Sequence, residues 1–449
     1  MEEFPLLESG CPFIENHMSG GVIINNIYTK YTKWAKYTKH NKYSMFKVFM
    51  FAYWAMMLSI SGMYAMYIAQ IGFSKKEISI AVTIFTFAAL IGQNVFGYLA
   101  DRFKCIKKIL LVAISVGIIA SIALNFSKQS WFISILIFLW GFFLYGTVPL
   151  SEAWYIGILK ANGDQREFGK IRGIGSIGYG ISGIILGLLL QNIGWNLYSW
   201  YILISSCAVL LVITLMSESK EIALYKAGGG DGCGDTNNAS FKEAFEQIIT
   251  IKSLRTIIII VFIYSFVLKG IYSYLGVLVS DFGGGPLSLG LAYFFDASPE
   301  IITFILTSKL LSKYKSKDLI LIAFILQIIR LSLILVFNSP LSIILLGALS
   351  GFAYGLIATA YKTYIYEVAP EKYKISCLSL SESIIGLSGV ISAPVYGYLI
   401  IKFGGYTSIA IGLSIYIAMT LIISGKLYIE RKKEREKEKQ KESQYEIRI

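Results

Sequence analysis

Twelve apolar stretches, each long enough to cross a lipid bilayer as a helix, run between residues 45 and 429. Inside hydrocarbon a backbone must satisfy its own hydrogen bonds, so a run of about 20 apolar residues spans as an α-helix. The stretches are 45–70, 78–100, 106–126, 131–156, 171–191, 198–216, 254–280, 287–311, 318–337, 340–366, 375–401 and 406–429. With the loop 217–253 set aside, each stretch and its connection share only about 29 residues, so little room is left for a domain outside the membrane. Charge is scarce to match: 15% of residues are Asp, Glu, Lys or Arg, against roughly 25% in soluble domains. A soluble chain of this length would divide into several domains, each needing a charged coat. This chain lacks the charge for that, which argues against a soluble enzyme. The expected fold class is an all-α membrane protein with twelve transmembrane helices.

The remaining charges set the expected orientation, because lysine and arginine collect in short cytoplasmic loops. The connection after the second stretch holds Arg102, Lys104, Lys107 and Lys108, and the one after the fourth holds Lys160, Arg166 and Lys170. The one after the eighth holds Lys309, Lys313, Lys315 and Lys317. The alternate connections are poor in charge, with Lys75 and Lys76 the main exceptions. Both termini and the loop 217–253 are therefore expected in the cytoplasm, and the protein in the plasma membrane. The 41 Lys and Arg exceed the 28 Asp and Glu. In a soluble protein that excess would suggest nucleic acid; here it marks loops on the inner face, and no nucleic-acid partner is expected. Residues 1–17 carry Glu2, Glu3, Glu8 and Glu15 and no lysine, so no cleavable signal peptide is expected.

The expected organisation is a basic arm 1–44, a six-helix bundle 45–216, a linker 217–253, a second six-helix bundle 254–429 and a charged tail 430–449. The arm repeats Tyr28-Thr29-Lys30, Tyr31-Thr32-Lys33 and Tyr37-Thr38-Lys39. Aromatics and lysines beside a helix suit anionic lipid headgroups. The run Gly228–Asp235 reads as a flexible linker. The tail, with eight Lys/Arg and six Glu, reads as a solvated helix or a disordered segment.

Cysteine and histidine exclude further chemistry. Cys11, Cys105, Cys207, Cys233 and Cys377 form no C-x-x-C, so neither a disulfide framework nor a metal site is expected. His17 and His40 both precede the first apolar stretch, so no histidine can act within the membrane.

The two halves repeat at a spacing of 205–211 residues. Leu99-Ala100-Asp101-Arg102-Phe103-Lys104 matches Leu310-Leu311-Ser312-Lys313-Tyr314-Lys315, and Gly180-Ile181-Ser182-Gly183 matches Gly386-Leu387-Ser388-Gly389. Two pseudo-symmetric six-helix bundles about a central cavity are a transporter architecture.

Gly97-Tyr98-Leu99-Ala100-Asp101-Arg102 ends the second stretch and runs into basic residues. It resembles the G-x-x-x-D-[RK]-x-G-[RK]-[RK] signature of the major facilitator superfamily, with Lys104 at the pattern's second glycine. The resemblance implies a cytoplasmic gate at Gly97, Asp101 and Arg102. Val148-Pro149-Leu150-Ser151-Glu152-Ala153-Trp154 and Phe168-Gly169-Lys170-Ile171-Arg172-Gly173-Ile174-Gly175-Ser176-Ile177-Gly178-Tyr179 then look like the lactose permease branch, which also resembles nucleoside–proton symporters and phenylpropionate permeases. In sugar-transporting members a glutamate, an arginine and an aromatic at these positions hold the sugar. The resemblance implies those roles for Glu152, Arg172 and Tyr179, with tyrosine here in place of the family's tryptophan.

The residues support that placement without the family. Arg172, Ser176 and Tyr179 lie at i, i+4 and i+7, one stripe of a helix. A carboxylate and a guanidinium in apolar surroundings need each other or a polar ligand. A ligand with hydroxyls can bridge them, because arginine donates in a fixed fork and a carboxylate accepts. Tyr145, Val148 and Tyr155 lie at helical spacing from Glu152 and add an aromatic wall. A structural ion pair is the plain alternative.

The second half carries Lys269, Asp296, Glu300, Arg330, Lys362 and Glu382 within its apolar stretches. Each costs a few kcal/mol in lipid, so they are expected to face the bundle interior. Asp296 and Glu300 share a helix face across Pro299. Arg330 falls where the permeases have an arginine tied to proton coupling, so the expected proton-handling set is Glu300, Asp296 and Arg330. The permeases' histidine and glutamate of helix 10 are missing: the region reads Leu349-Ser350-Gly351-Phe352-Ala353. Lys269 and Glu382 are expected to pair, with charges opposite to the family's pair between helices 7 and 11. Lys362 is expected to snorkel toward the cytoplasmic surface.

The expected activity is proton-coupled symport of a small polar organic solute such as a sugar, glycoside or nucleoside by a monomer, driven by the proton gradient with no cofactor. Two alternatives stay open. One is an efflux antiporter, although the G-P-x-x-G-G antiporter pattern is missing. The other is a non-transporting membrane sensor or scaffold.

Overall fold

The computed structural model describes residues 43–103, 105–164, 167–216 and 241–446. The lysine-rich arm and its lipid partner, both histidines, Lys104, Arg166 and the run Gly228–Asp235 lie outside the described residues. The chain divides into a unit ending at Met45, which gives only the opening residues of the first helix to the described part, and the compact unit Phe46–Ile449 that holds the rest.

A helix covers each of the twelve apolar stretches. α1 is Ser44–Gln70, α2 Lys75–Phe103, α3 Ile106–Ala123, α4 Ser130–Leu159, α5 Phe168–Asn192 and α6 Trp195–Leu215. α7 is Lys252–Ser273, continued by Leu275–Asp281; α8 is Pro286–Leu311, α9 Ser316–Phe337 and α10 Pro340–Val368. The last two stretches form one helical run, Lys374–Glu446, broken at Gly404, whose φ of 82° and ψ of 169° leave helical space. α11 is therefore 374–403 and α12 is 405–446. Only glycine takes that backbone without strain.

The run folds back there. Ser316 donates to Glu367 at 3.4 Å and Arg431 to Asp318 at 2.6 Å, so residue 431 returns to the end where α11 begins. The other end of α11 meets α7, where a Cβ on Gly405 would sit 3.0 Å from the Asp281 carboxylate. Among the described residues ten segments are long and apolar enough to cross a membrane, one of them being the folded-back pair. α8, which carries Asp296, Pro299 and Glu300, is not among the ten; it is packed against α5 and α10 instead.

The end of the bundle that carries the lysine-rich connections is called here the basic end, and the opposite one the far end. At the far end the first six helices meet the last six. Lys75 and Asp281 form an ion pair at 3.2 Å. The Tyr274 hydroxyl donates to the Ala393 carbonyl at 2.8 Å and shares a hydrogen bond with Ser79 Oγ at 3.3 Å. α5 and α8 touch backbone to backbone at Gly183 and Gly290, where a Cβ on Gly183 would stand 2.8 Å from the Gly290 carbonyl oxygen. Small residues let helices in lipid approach this closely.

Three local features depart from the expected plan. α1 opens into a π-turn at Leu58–Gly62, which frees carbonyls that tyrosines from elsewhere fill: Tyr198 donates to Ser59 at 2.7 Å and Tyr293 to Gly62 at 3.0 Å. α4 has a π-turn at Trp140–Leu144 and a 3₁₀ turn at Tyr145–Thr147 just before Glu152, a rewinding common at functional positions. Within the expected linker, Phe241–Thr250 is a short amphipathic helix with Phe245, Ile248 and Ile249 on one side. Its Glu243 accepts from the Tyr373 hydroxyl at 2.9 Å, so structure resumes before residue 254.

Candidate functional site

Four of the expected residues converge. Arg172 Nε pairs with Glu152 Oε1 at 3.0 Å. Arg172 Nη1 donates to Ser176 Oγ at 3.3 Å, and Ser176 Oγ donates to Glu300 Oε2 at 3.1 Å. The chain Glu152–Arg172–Ser176–Glu300 therefore crosses from α4 through α5 to α8, from the first half to the second. One helical turn separates Arg172 from Ser176, which is why a single guanidinium reaches the hydroxyl of its own stripe while its Nε faces α4. The guanidinium also lies over the Trp54 ring, 4.4 Å from its centroid. A desolvated cation on a tryptophan face gains about 2 kcal/mol.

The cluster is not sealed. The Glu152 side chain is 30% exposed and that of Arg172 15%. A pair shut in apolar surroundings would be structural only; one that keeps a water-facing side can exchange partners with a ligand.

Toward the far end the cluster gives way to aromatic rings. Tyr179 and Tyr272 share a hydrogen bond at 3.3 Å between hydroxyls. Tyr293 lies edge-on to both rings, at 5.6 Å and 5.4 Å between centroids. Trp54 sits 6.1 Å from Tyr179 on the side of Arg172. Tyr145 packs on Phe85 at 5.4 Å, two turns of α4 before Glu152. Tyr155, expected in an aromatic wall beside Glu152, stacks on Phe168 at 5.7 Å, and Tyr179 is part of a floor of three tyrosines spanning α5, α7 and α8.

Asp296 lies one turn from Glu300 on α8 and within electrostatic reach of Arg330. Arg330 is buried; its Nη1 donates to Gln327 Oε1 at 3.3 Å, and Gln327 donates to the Tyr264 hydroxyl at 3.2 Å. Its Nε has no hydrogen-bond partner among the described residues. Asp296 and Arg330 thus feel each other's charge without forming an ion pair among the described residues, while Glu300 belongs to the Arg172 chain.

Two expectations are corrected. Glu382 pairs with Lys362 at 2.8 Å, not with Lys269, and its Oε1 also takes a short hydrogen bond from the Tyr361 hydroxyl. Lys269 instead donates to the Ile385 carbonyl at 2.9 Å, because its stem rests on Gly389 and directs the ammonium along the α11 backbone. Lys362 is accordingly a partner of Glu382 and does not simply snorkel.

The gate residues are not latched in this structure. A Cβ on Gly97 would meet nothing within 4 Å. Asp101 is exposed and has no ion pair among the described residues, and Arg102 donates to Tyr98 at 3.3 Å within its own helix. The closure at the far end and the unlatched basic end agree with each other.

A separate cavity of about 390 Å³ lies at the basic end, lined by Lys313, Lys315, Lys317, Tyr364, Glu367 and Arg431 among others. It borders none of the expected solute residues. No group of histidine, cysteine or carboxylate side chains suited to a metal ion occurs among the described residues.

Comparison with known proteins agrees with this architecture. The MFS_1 like family model matches residues 43–410. A mutant of the nucleoside transporter NupG superposes with a TM-score of 0.73 at 14% identity, covering 85% of this chain and 98% of that one. NupG itself gives 0.68 at 16% identity, covering 85% and 98%. A D-xylose–proton symporter gives 0.64 at 14% identity, covering 86% and 97%. At these identities the likeness is one of fold. No curated protein matches the sequence.

Proposed function

The chain belongs to the MFS_1 like family and is a multi-pass membrane transporter, and from that premise we propose that it takes up a small polar organic solute by proton-coupled symport. A sugar, glycoside or nucleoside is the class of solute. The observation that carries the proposal is the half-open chain Glu152–Arg172–Ser176–Glu300, with its acceptor, fork of donors and aromatic face. A hydroxylated solute can displace water from the pair, accept from the guanidinium, donate to the carboxylate and lay a ring on Trp54 or Tyr179. Glu300, joined to the same hydroxyl, is the group that loads and releases the proton, with Asp296 and Arg330 as its neighbours. NupG, a nucleoside transporter, and the D-xylose–proton symporter carry solutes of this kind, which supports the class.

The cycle rocks the first six helices against the last six about this cluster. With the basic end in the cytoplasm, this structure is the inward-facing member of the cycle. The test is uptake by proteoliposomes of labelled uridine, adenosine, xylose and lactose, with and without an inward proton gradient. At least one is expected to accumulate only when the gradient is imposed. Failure of all four to do so ends the proposal.

The far-end contacts make a second prediction. The Lys75–Asp281 pair is half exposed, so it is worth roughly 0–1 kcal/mol, and with it gone the far end opens up to about fivefold more often. In a background lacking the five native cysteines, Ser79→Cys should be labelled by an impermeant maleimide from outside severalfold faster when Asp281→Ala is added. An unchanged rate would mean that the pair holds nothing shut.

A further inference from the structure

Glu152 and Arg172 are 20 positions apart, one on α4 and one on α5. Lys362 and Glu382 are also 20 apart, on α10 and α11, and each lies 210 positions after its counterpart. That offset falls inside the spacing of the internal repeat. The two pairs are thus repeat copies of one another with the charges exchanged: carboxylate then cation in the first half, cation then carboxylate in the second. Their lengths are close, 3.0 Å and 2.8 Å.

The second pair is also open. Lys362 and Glu382 are 50% and 44% exposed, although they lie within helices that cross the membrane. Lipid-facing charges are costly there, so exposure at such positions marks a water-filled space. The repeat puts that space on the inner side, because pseudo-symmetric halves turn corresponding positions toward one central cavity, and Tyr354 agrees. It lies two turns from Lys362 on α10, is 39% exposed, and its hydroxyl feels the charges of Glu300, Arg172, Glu152 and Glu382. Both pairs therefore face one region between the halves. Each retains binding capacity, because an ammonium has three donors and a carboxylate about four acceptor sites. Lys269 braces α11 one turn beyond Glu382 through the Ile385 carbonyl.

We propose that Lys362 and Glu382, with Tyr361, form a second solute-binding pair that grips the end of the solute opposite the one held by Glu152 and Arg172. The inference rests on the uptake reading above and narrows it. With Glu300 protonated, the charges of the four groups sum to zero, so a net charge on the solute gains nothing from them. A donor and an acceptor wait at each end. The solute is accordingly a neutral molecule with hydrogen-bonding groups at both ends, long enough to reach both pairs.

The test is binding of uridine and lactose to purified full-length protein, read as thermal stabilisation against ligand concentration. Two variants are compared with the natural chain: the exchange Lys362→Glu with Glu382→Lys, which keeps an ion pair but reverses it, and the uncharged Lys362→Met with Glu382→Gln. A merely structural pair survives the exchange. A solute-binding pair does not, and the expected result is at least tenfold weaker binding in both variants with the ligand-free unfolding temperature within a few degrees. Binding within about twofold of the natural protein in either variant overturns the second pair and leaves the uptake reading standing. Failure of both variants to fold also overturns it, since the pair is then structural. If the natural protein binds neither probe, this inference falls, while the uptake reading is decided separately by the four-solute accumulation assay.

Discussion

Arg172→Ala is expected to reduce solute accumulation to background while leaving the protein in the membrane. The guanidinium is the centre of the site: it holds Glu152 at 3.0 Å, donates to Ser176 at 3.3 Å and lies over Trp54. Hydrogen bonds to charged groups are worth about 1.5–3 kcal/mol each. Losing two to a solute therefore weakens binding by about a hundredfold or more. The truncation also strands Glu152, a half-buried carboxylate whose partner is gone, so some loss of stability accompanies it. Arg172→Lys separates the two effects. Lysine keeps the charge for Glu152 but not the planar fork, so it should restore the protein's stability and only a small part of its uptake. Uptake by Arg172→Ala equal to that of the natural chain, at equal amounts in the membrane, would refute the solute site.

The helices were legible because the membrane leaves so few choices. A stretch such as 78–100 has no stable form in lipid but a helix, and α2 covers it as Lys75–Phe103. What the pattern does not carry is rewinding within a helix. The π-turns at Leu58–Gly62 and Trp140–Leu144 occur in runs as apolar as their neighbours, and at the first of them distant tyrosines, Tyr198 and Tyr293, donate to the carbonyls of Ser59 and Gly62. Such partners come from tertiary packing. The short helix Phe241–Thr250 was hidden differently. Its amphipathic pattern is only ten residues long and sits beside a glycine-rich run that dominates the loop's composition.

At the site, the i, i+4 stripe of Arg172 and Ser176 put two members on one face, and scarcity of charge singled out Glu152 and Glu300. Trp54 could not be singled out. It is one ring in a chain with 14% aromatics, and only the packing of α1 on α5 puts it against the guanidinium. The pairing of Lys269 with Glu382 failed for a more instructive reason. The family pairs helices 7 and 11, whereas this chain's own repeat, with its 20-residue spacing, points to Lys362.

Glu300→Gln is expected to uncouple the transporter, and the hydrogen-bond chain says how. Ser176 Oγ accepts from Arg172 and has one proton to give, which goes to Glu300 Oε2. That bond is strong only while Glu300 is ionised, because bonds to charged acceptors are roughly twice as strong as neutral ones. Protonation weakens it and removes the attraction between α8 and the guanidinium on α5. The link between the two halves therefore loosens when the proton arrives and tightens when it leaves. Glutamine keeps an acceptor for Ser176 but holds the site permanently in the uncharged form. Exchange of labelled for unlabelled solute across the membrane needs no net proton movement and should stay within about threefold of the natural rate. Accumulation driven by an inward proton gradient should fall to the level of simple equilibration, and the rise of uptake with falling external pH that proton coupling predicts for the natural protein should flatten. Concentrative uptake by Glu300→Gln with its pH dependence intact would move the proton to another carboxylate. Asp296→Asn, one turn away and within electrostatic reach of Arg330, would then be the variant to show the same uncoupling.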